Sequence, residues 1–259
     1  MSITAHYFDQ NAILKSPCLA VPEFEIGQKK SIENIRNKIL QVLEKFFGNA
    51  DTAQLVFKNS ISVTDGGSNV KTVFSHRYEC QCHSLNLIVS HLVEDKELKE
   101  EFPDIFETLD TLKKVVTYMK KSGLNSKLSK SLKQAVPTRW NSILTMLISY
   151  RDVSREVYDV LLLSKQQTRM YGVNEAVVEE LITLLQPFEN FTKLLSQDKQ
   201  PTFHLISRVH SQLFKHVRKM MEKTDTELSR NFYLKCESLC QRYLVTRSEH
   251  YCATLLIPV

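Results

Sequence analysis

Residues Val63–Val89 read VTDGGSNVKTVFSHRYECQCHSLNLIV, and the reading of this stretch decides the fold. A short β-branched run at Ile61–Val63 leads to Asp65 and then to Gly66 and Gly67. About two helical turns are expected over Ser68–Phe74, followed by a strand over Arg77–Cys80. Past Cys82 the strand signals nearly vanish, and Leu85, Ile88, Val89 and Leu92 fall on one helical face. The stretch is therefore a border between an α/β part and an all-helical part.

Working outward, the upstream side reads as strands around one helix. Ser2–Phe8 alternates and carries β-branched and aromatic residues, as a strand does, and Pro17–Phe24 is a second, shorter candidate bounded by prolines. Ile32, Ile35, Ile39, Val42, Leu43 and Phe46 recur at spacings of three or four and predict an amphipathic helix. The order is β-β-α-β-α-β, an α/β pattern with a thin sheet of short strands.

Downstream, Ile105, Leu109, Leu112, Val116 and Met119 mark a second helical face, and KSGLNSKLSK around Gly123 is a polar break. Further helices are predicted over Ser142–Leu163, Glu175–Ser196, Phe203–Lys223 and Thr226–Val245. Leu181, Leu184, Leu185, Phe188 and Phe191 give the second of these its inner side, and Pro187 is expected to kink it because it lacks a donor. TLLIPV at the end of the chain reads as the start of a strand. There is no internal repeat and no low-complexity tract.

Composition sets wider limits. The 259 residues are 42% hydrophobic, ample for a core, and the six Gly and seven Pro favour helix over a β-sandwich. The start of the chain carries no basic region followed by an apolar block, so no secretory signal is expected. No apolar run approaches the ~18 residues of a membrane span, so no membrane partner is expected either. Six cysteines are too few for a disulfide scaffold, which makes a reducing compartment the default.

The net charge of +5 is unevenly placed. Glu94–Asp110 holds eight acids against two lysines, whereas Lys113–Arg139 holds eight Lys/Arg and no acid, and Ser207–Arg247 holds nine Lys/Arg against four acids. A basic block beside an acidic one suits a polyanion such as DNA, and equally describes solvated helix faces of differing sign.

Three places could carry chemistry. Asp65 at a strand end, followed by Gly-Gly, lies on open backbone where a metal or phosphate can approach; the same residues also serve plain turns. Cys80 and His83 have half the ligands of a structural zinc site, and no second pair stands out, so zinc is not expected and packing at the strand–helix corner is the better reading. VPTRWNS at Val136–Ser142 holds the single tryptophan. Arg139 beside Trp140 suits phosphate and an unpaired or flipped base, while a tryptophan packed among helices is the plainer alternative. There is no Walker-type loop, no nucleophile elbow and no His-Glu-x-x-His.

Taken together, VTDGGSN, CQCHSLNL and PTRWNS, in this order and spacing, resemble the hAT superfamily of DNA transposases and the host proteins derived from them. Thr64, Asp65, Ser68 and Asn69 match the T-D-x-x-S-N context of the family's second catalytic acid. Cys80 and His83 match the C-x-x-H motif that opens its helical insertion. Arg139 and Trp140 match an Arg-Trp pair within that insertion. HYFDQNAILKSPCLAV and LLQPFENFTKLLSQDKQPTFHLI are softer likenesses, and the resemblance covers nearly the whole chain.

The resemblance implies a fold of α/β plus all-α type. An incomplete RNase H-like core over 1–81, lacking its first strand, would precede a helical insertion over 82–250 and a truncated return towards the core over 251–259. It implies Asp65 as a catalytic residue and metal ligand, with Mg2+ or Mn2+ the cofactor of the intact family. Arg139, Trp140, Lys113, Lys114, Lys120, Lys121 and Lys127 would lie at DNA, and Cys80 and His83 would form the motif at the insertion start.

Departures from the family also bear on function. The first catalytic Asp, the final Glu, the zinc-finger domain and the dimerisation region have no counterpart in these residues. This chain alone is therefore expected to be catalytically incomplete and not to bind the ions productively, since one carboxylate cannot organise two divalent ions. The intact family also forms homo-oligomers. Two readings follow, both placed in the nucleus: a fragment of a cut-and-paste DNA transposase, or a non-enzymatic, transposase-derived DNA- or protein-binding module.

Overall fold

The computed structural model describes residues 2–11, 13–136, 141–197 and 199–257. The chain divides into two compact units, one of Met1–Ser84 with Leu195–His204, the other of Leu85–Leu194 with Leu205–Val259.

In the first unit the chain opens with an irregular hairpin. Strands β1 (Ile3–Thr4) and β2 (Tyr7–Phe8) form one arm, and β3 (Leu14–Lys15) and β4 (Cys18–Ala20) the other. The β1–β4 and β2–β3 pairings are antiparallel, with a register shift between Ile3 and Thr4. The Asp9 carboxylate closes the tip by accepting from the backbone N–H of Asn11 and Ile13 at 2.9 and 3.0 Å. The strand expected over Ser2–Phe8 is thus two, parted at Ala5–His6.

Helix α1 (Ile32–Phe47) forms where the isoleucine spacing predicts it. The Ser31 hydroxyl accepts from the Asn34 N–H at 3.3 Å, and Gly48 ends the helix at φ 80°, a left-handed conformation that only glycine adopts without strain. A further helix, α2 (Ala50–Asn59), starts at once, with Asn49 accepting from the Thr52 N–H at 2.7 Å. Ile35, Ile39, Leu43, Ala53, Phe57 and Val73 make the buried core of this unit, and Phe57 stacks on Phe74 at 4.8 Å between centroids.

Strands β5 (Ile61–Thr64) and β6 (His76–Glu79) pair in parallel, with Ile61 opposite His76 and Thr64 opposite Glu79. Between them Ser68–Phe74 forms successive turns rather than the expected two helical turns. Only Val73 of that segment is buried, too little apolar surface to hold a helix in place. The described strands make three two-stranded sheets.

Helix α3 (Gln81–Glu94) leads out of the first unit, and the second unit is helical. Its further elements are α4 (Lys96–Glu101), α5 (Pro103–Lys121), α6 (Asn141–Arg151), α7 (Ser154–Leu163), α8 (Glu175–Leu195), α9 (Ile206–Lys223), α10 (Glu227–Tyr243) and α11 (Ser248–Leu256). The expected single helix over Ser142–Leu163 is two, parted at Asp152–Val153. The expected strand at the end of the chain is instead part of α11: through Leu256 the backbone is helical.

Leu85, Ile88, Val89, Leu92, Leu109, Leu112, Leu144, Leu147, Leu184, Leu185, Phe188 and Leu213 are fully buried. Each such side chain contributes roughly 1.5–3 kcal/mol through burial, so the helical unit rests on a far larger core than its neighbour. Among the described residues no helix is long and apolar enough to cross a membrane.

Candidate nucleic-acid interface and strand-end site

The parallel pairing of β5 and β6 fixes the first site. Thr64 lies opposite Glu79, and the ladder continues one step further, with the Cys80 N–H donating to the Thr64 carbonyl at 2.8 Å. Asp65 and Cys80 therefore sit side by side at the carboxyl ends of neighbouring strands, which lie about 4.8 Å apart. In parallel α/β arrangements this end is where ligands collect. Arg77 staples it, donating to Thr64 Oγ1 at 3.0 Å and to Glu79 Oε1 at 2.7 Å.

Asp65 is exposed, and its Oδ1 accepts from the Gly67 N–H at 3.3 Å. A Cβ on Gly67 would meet that oxygen at 3.1 Å, so the small residue keeps the carboxylate uncrowded, whereas a Cβ on Gly66 would meet nothing within 4 Å. Asp65 could offer one ligand to a divalent cation. Among the described residues, however, no group of three or more His, Cys, Asp or Glu gathers to hold an ion.

The Cys/His motif takes an unforeseen form. The Ser84 N–H donates to the Cys80 carbonyl at 3.0 Å, which makes Cys80 the residue capping α3. The Cys82 thiol donates to the Cys80 sulfur, which also accepts from the backbone N–H of His83 and Cys82. The Cys82 hydrogen bond is the main cause that pulls the Cys80 thiol down to about 6, with partial burial opposing it and the backbone donors and His83 assisting. The same bond pushes the Cys82 thiol up. The partner of Cys80 in this corner is thus Cys82, a residue that C-x-x-H spacing passes over.

The lysines lie in the helical unit. On α5 an advance of seven residues nearly completes two turns, so Lys113 lies in line with Lys120 and Lys114 with Lys121. All four share roughly a third of the circumference, opposite the buried Leu112, Val115 and Met119. Lys113 is half-buried and approaches Asp110 at 3.8 Å. Lys114, Lys120, Lys121 and Lys127 are exposed, and no ion pair engages them among the described residues.

Lys127 ends a short 3-10 turn, Leu124–Lys127, entered through Gly123 at φ 73°. Beyond it the chain is held by an acid between α6 and α7 and by one on α7: Lys130 pairs with Asp152 at 3.0 Å, and Glu156 accepts from the Ser129 N–H at 2.6 Å. Arg139 and Trp140 lie outside the described residues.

A second basic face is not evident from the sequence pattern. Arg208, Lys215, Lys219 and Lys223 are exposed on α9. Their spacings of seven, four and four place them within about 80° of one another along roughly 22 Å of helix. Val209, His210, Leu213 and Val217 are buried on the other side. Charge totals over the whole region hide this stripe, whereas projection onto a helix reveals it.

No protein-family model matches the chain. The chain is similar to a protein named "Putative transcriptional regulator tpeD" of Talaromyces stipitatus, with 30% identity over 146 residues, 50% of this chain and 16% of that protein. It is also similar to the Transposable element Hobo transposase of Drosophila melanogaster, with 31% identity over 179 residues, 68% of this chain and 25% of that protein. The chain thus spans a quarter or less of the curated relatives it matches. The second similarity supports a transposase-related origin.

Proposed function

We propose that this chain is the DNA-binding part of a hAT-type transposase, or of a protein derived from one, and that the lysine face of α5 meets the phosphate backbone in the nucleus. The observation that carries this reading is the set of exposed lysines at 114, 120 and 121 on α5 and at 127 on the turn that follows it, none in an ion pair among the described residues. The stripe of Arg208, Lys215, Lys219 and Lys223 adds a second run of positive charge suited to the same kind of partner.

An RNase H-like core for the α/β unit is part of the proposal. It is supported by the acid at the carboxyl end of a parallel strand and by the surfaces of Ile61 and Val63, 66% and 63% exposed on β5. Parallel strands are ordinarily covered on both faces, so a larger sheet would suit them. In that setting Asp65 would be one ligand to Mg2+ or Mn2+, which would activate water and stabilise the leaving oxygen.

The similarity to the protein named as a transcriptional regulator favours a second reading, a transposase-derived module that binds DNA or protein without cutting. Under it, Asp65→Asn changes neither affinity nor any response to divalent metal.

The test is a titration of hairpin and flapped duplexes over a range of salt. Converting Lys114, Lys120, Lys121 and Lys127 together to Gln is expected to flatten the plot of log affinity against log salt, by about 0.9 for each phosphate no longer neutralised. An unchanged slope overturns the α5 surface, and a change only with Arg208, Lys215, Lys219 and Lys223 replaced moves the interface to α9.

A further inference from the structure

Cys80 and Cys82 meet at the start of α3 in a geometry that neither DNA binding nor metal binding requires. Cys80 caps the helix, and its sulfur accepts from two backbone N–H groups and from the Cys82 thiol. That is the arrangement that stabilises a thiolate: donors aimed at sulfur at the positive end of a helix dipole. Both residues are partly exposed, so a small molecule can reach them. Two positions apart at a helix start, their Cα atoms are about 5.4 Å apart, inside the range of roughly 4.4–6.8 Å that a disulfide accepts.

Cys236 and Cys240 offer an internal contrast. They too share a sulfur–sulfur hydrogen bond, on α10, but both are 0% exposed. Burial pushes Cys236 further up after that bond, and no reagent can approach. Cys18 and Cys252 are exposed and sit outside either pair. Accessibility and pairing coincide only at Cys80 and Cys82.

We propose that Cys80 and Cys82 form a redox-active dithiol that reacts with small-molecule disulfides and closes to an intramolecular disulfide. The Cys80 thiolate attacks one sulfur of the reagent, the reagent's S–S bond breaks, and one thiolate leaves and takes up a proton. Cys82 then gives its proton to solvent, and its sulfur attacks the Cys80 sulfur, expelling the second thiolate. Two protein thiols are oxidised by two electrons and one disulfide is reduced to two thiols. The new bond would tie the end of β6 to the first turn of α3, beside Asp65.

The experiment treats wild type, Cys80→Ser and Cys82→Ser with an aromatic disulfide such as dithiobis(nitrobenzoate), following the released thiolate and locating adducts by peptide mass spectrometry. Because lower basicity also lowers nucleophilicity, Cys80 is expected to outpace Cys18 and Cys252 several-fold near pH 7, and on the order of tenfold or more near pH 5.5. Wild type should release two equivalents from the pair and retain no adduct. Cys82→Ser should release one and keep the adduct on Cys80. Cys80 reacting no faster than Cys18 and Cys252, or an adduct persisting on wild-type Cys80, would overturn the proposal.

Discussion

Val136 and Ser142 hold the two ends of the segment that carries the single tryptophan. Ser142 Oγ accepts from the Val136 N–H at 2.6 Å and donates to the Val136 carbonyl at 3.0 Å, so one side chain ties both ends together. A tryptophan indole can stack on an unpaired base, a contact worth about 1–3 kcal/mol by alanine substitution. On the proposed function, Trp140→Ala is therefore expected to weaken binding to hairpin or flapped DNA roughly five- to a hundredfold and to change affinity for plain duplex much less. Equal losses on both substrates in a gel-shift titration would assign Trp140 to packing.

Among the elements, α8 spans Glu175 to Leu195 with Pro187 inside it. Proline has no N–H for the carbonyl four residues earlier, here that of Thr183. The half-buried His216 ring on α9 lies near the carbonyls of Thr183 and Leu184, while its Nε2 has no hydrogen-bond partner among the described residues. Burial is the larger influence on His216 and holds its pKa below the ordinary value, while the two carbonyls oppose that. Pro187→Ala would restore a donor within α8 and is expected to stabilise the helical unit by about 1–3 kcal/mol, read as a higher urea midpoint. A lowered midpoint would show that the packing of Phe188 depends on the proline.

The same scale shows how far the sequence carries. Helix α1 was legible because Ile35, Ile39 and Leu43 repeat at helical spacing and bury together. Helix α2 was not, since only Ala53 and Phe57 of its ten residues are buried; its readable signals were the capping Asn49 and the acid Asp51 in its first turn. At the chain end, leucine and isoleucine suggested a strand, yet Leu255 and Leu256 are 83% and 80% exposed on α11, where burial decides nothing. Asp65 at a strand end followed from local pattern alone, whereas the Cys80–Cys82 pairing depends on how side chains turn at a corner, which spacing does not fix.

For the whole molecule, the two units differ in what supports them. Among the described residues the first has six buried apolar residues in its core and sheets of two strands each, and the second buries many more apolar side chains along its helices. Acid should act on the second through its histidines. His210 on α9 is 3% exposed, its Nδ1 lies 2.7 Å from Thr246 Oγ1, and His250 of α11 is 1% exposed. Burial, with the neighbouring His250 adding to it, lowers His210 to about 4 from an ordinary 6.5. A depressed folded value means that the unfolded chain takes up the proton first, so the stability present above about pH 6.5 is lost as the pH falls towards 4. The size is on the order of 3 kcal/mol, with His216 acting in the same direction. Asp95, Asp152 and Glu156 are also held below their ordinary values, chiefly by hydrogen bonds from Leu98, Lys130 and Ser129 respectively. Their contributions fade only below the ordinary carboxylate range, near pH 4, which leaves the higher window to histidine. The thermal midpoint of the helical unit should therefore drop between about pH 6.5 and 4, and His210→Gln should flatten that drop. A drop of the same size in the variant would place the acid sensitivity elsewhere in the molecule.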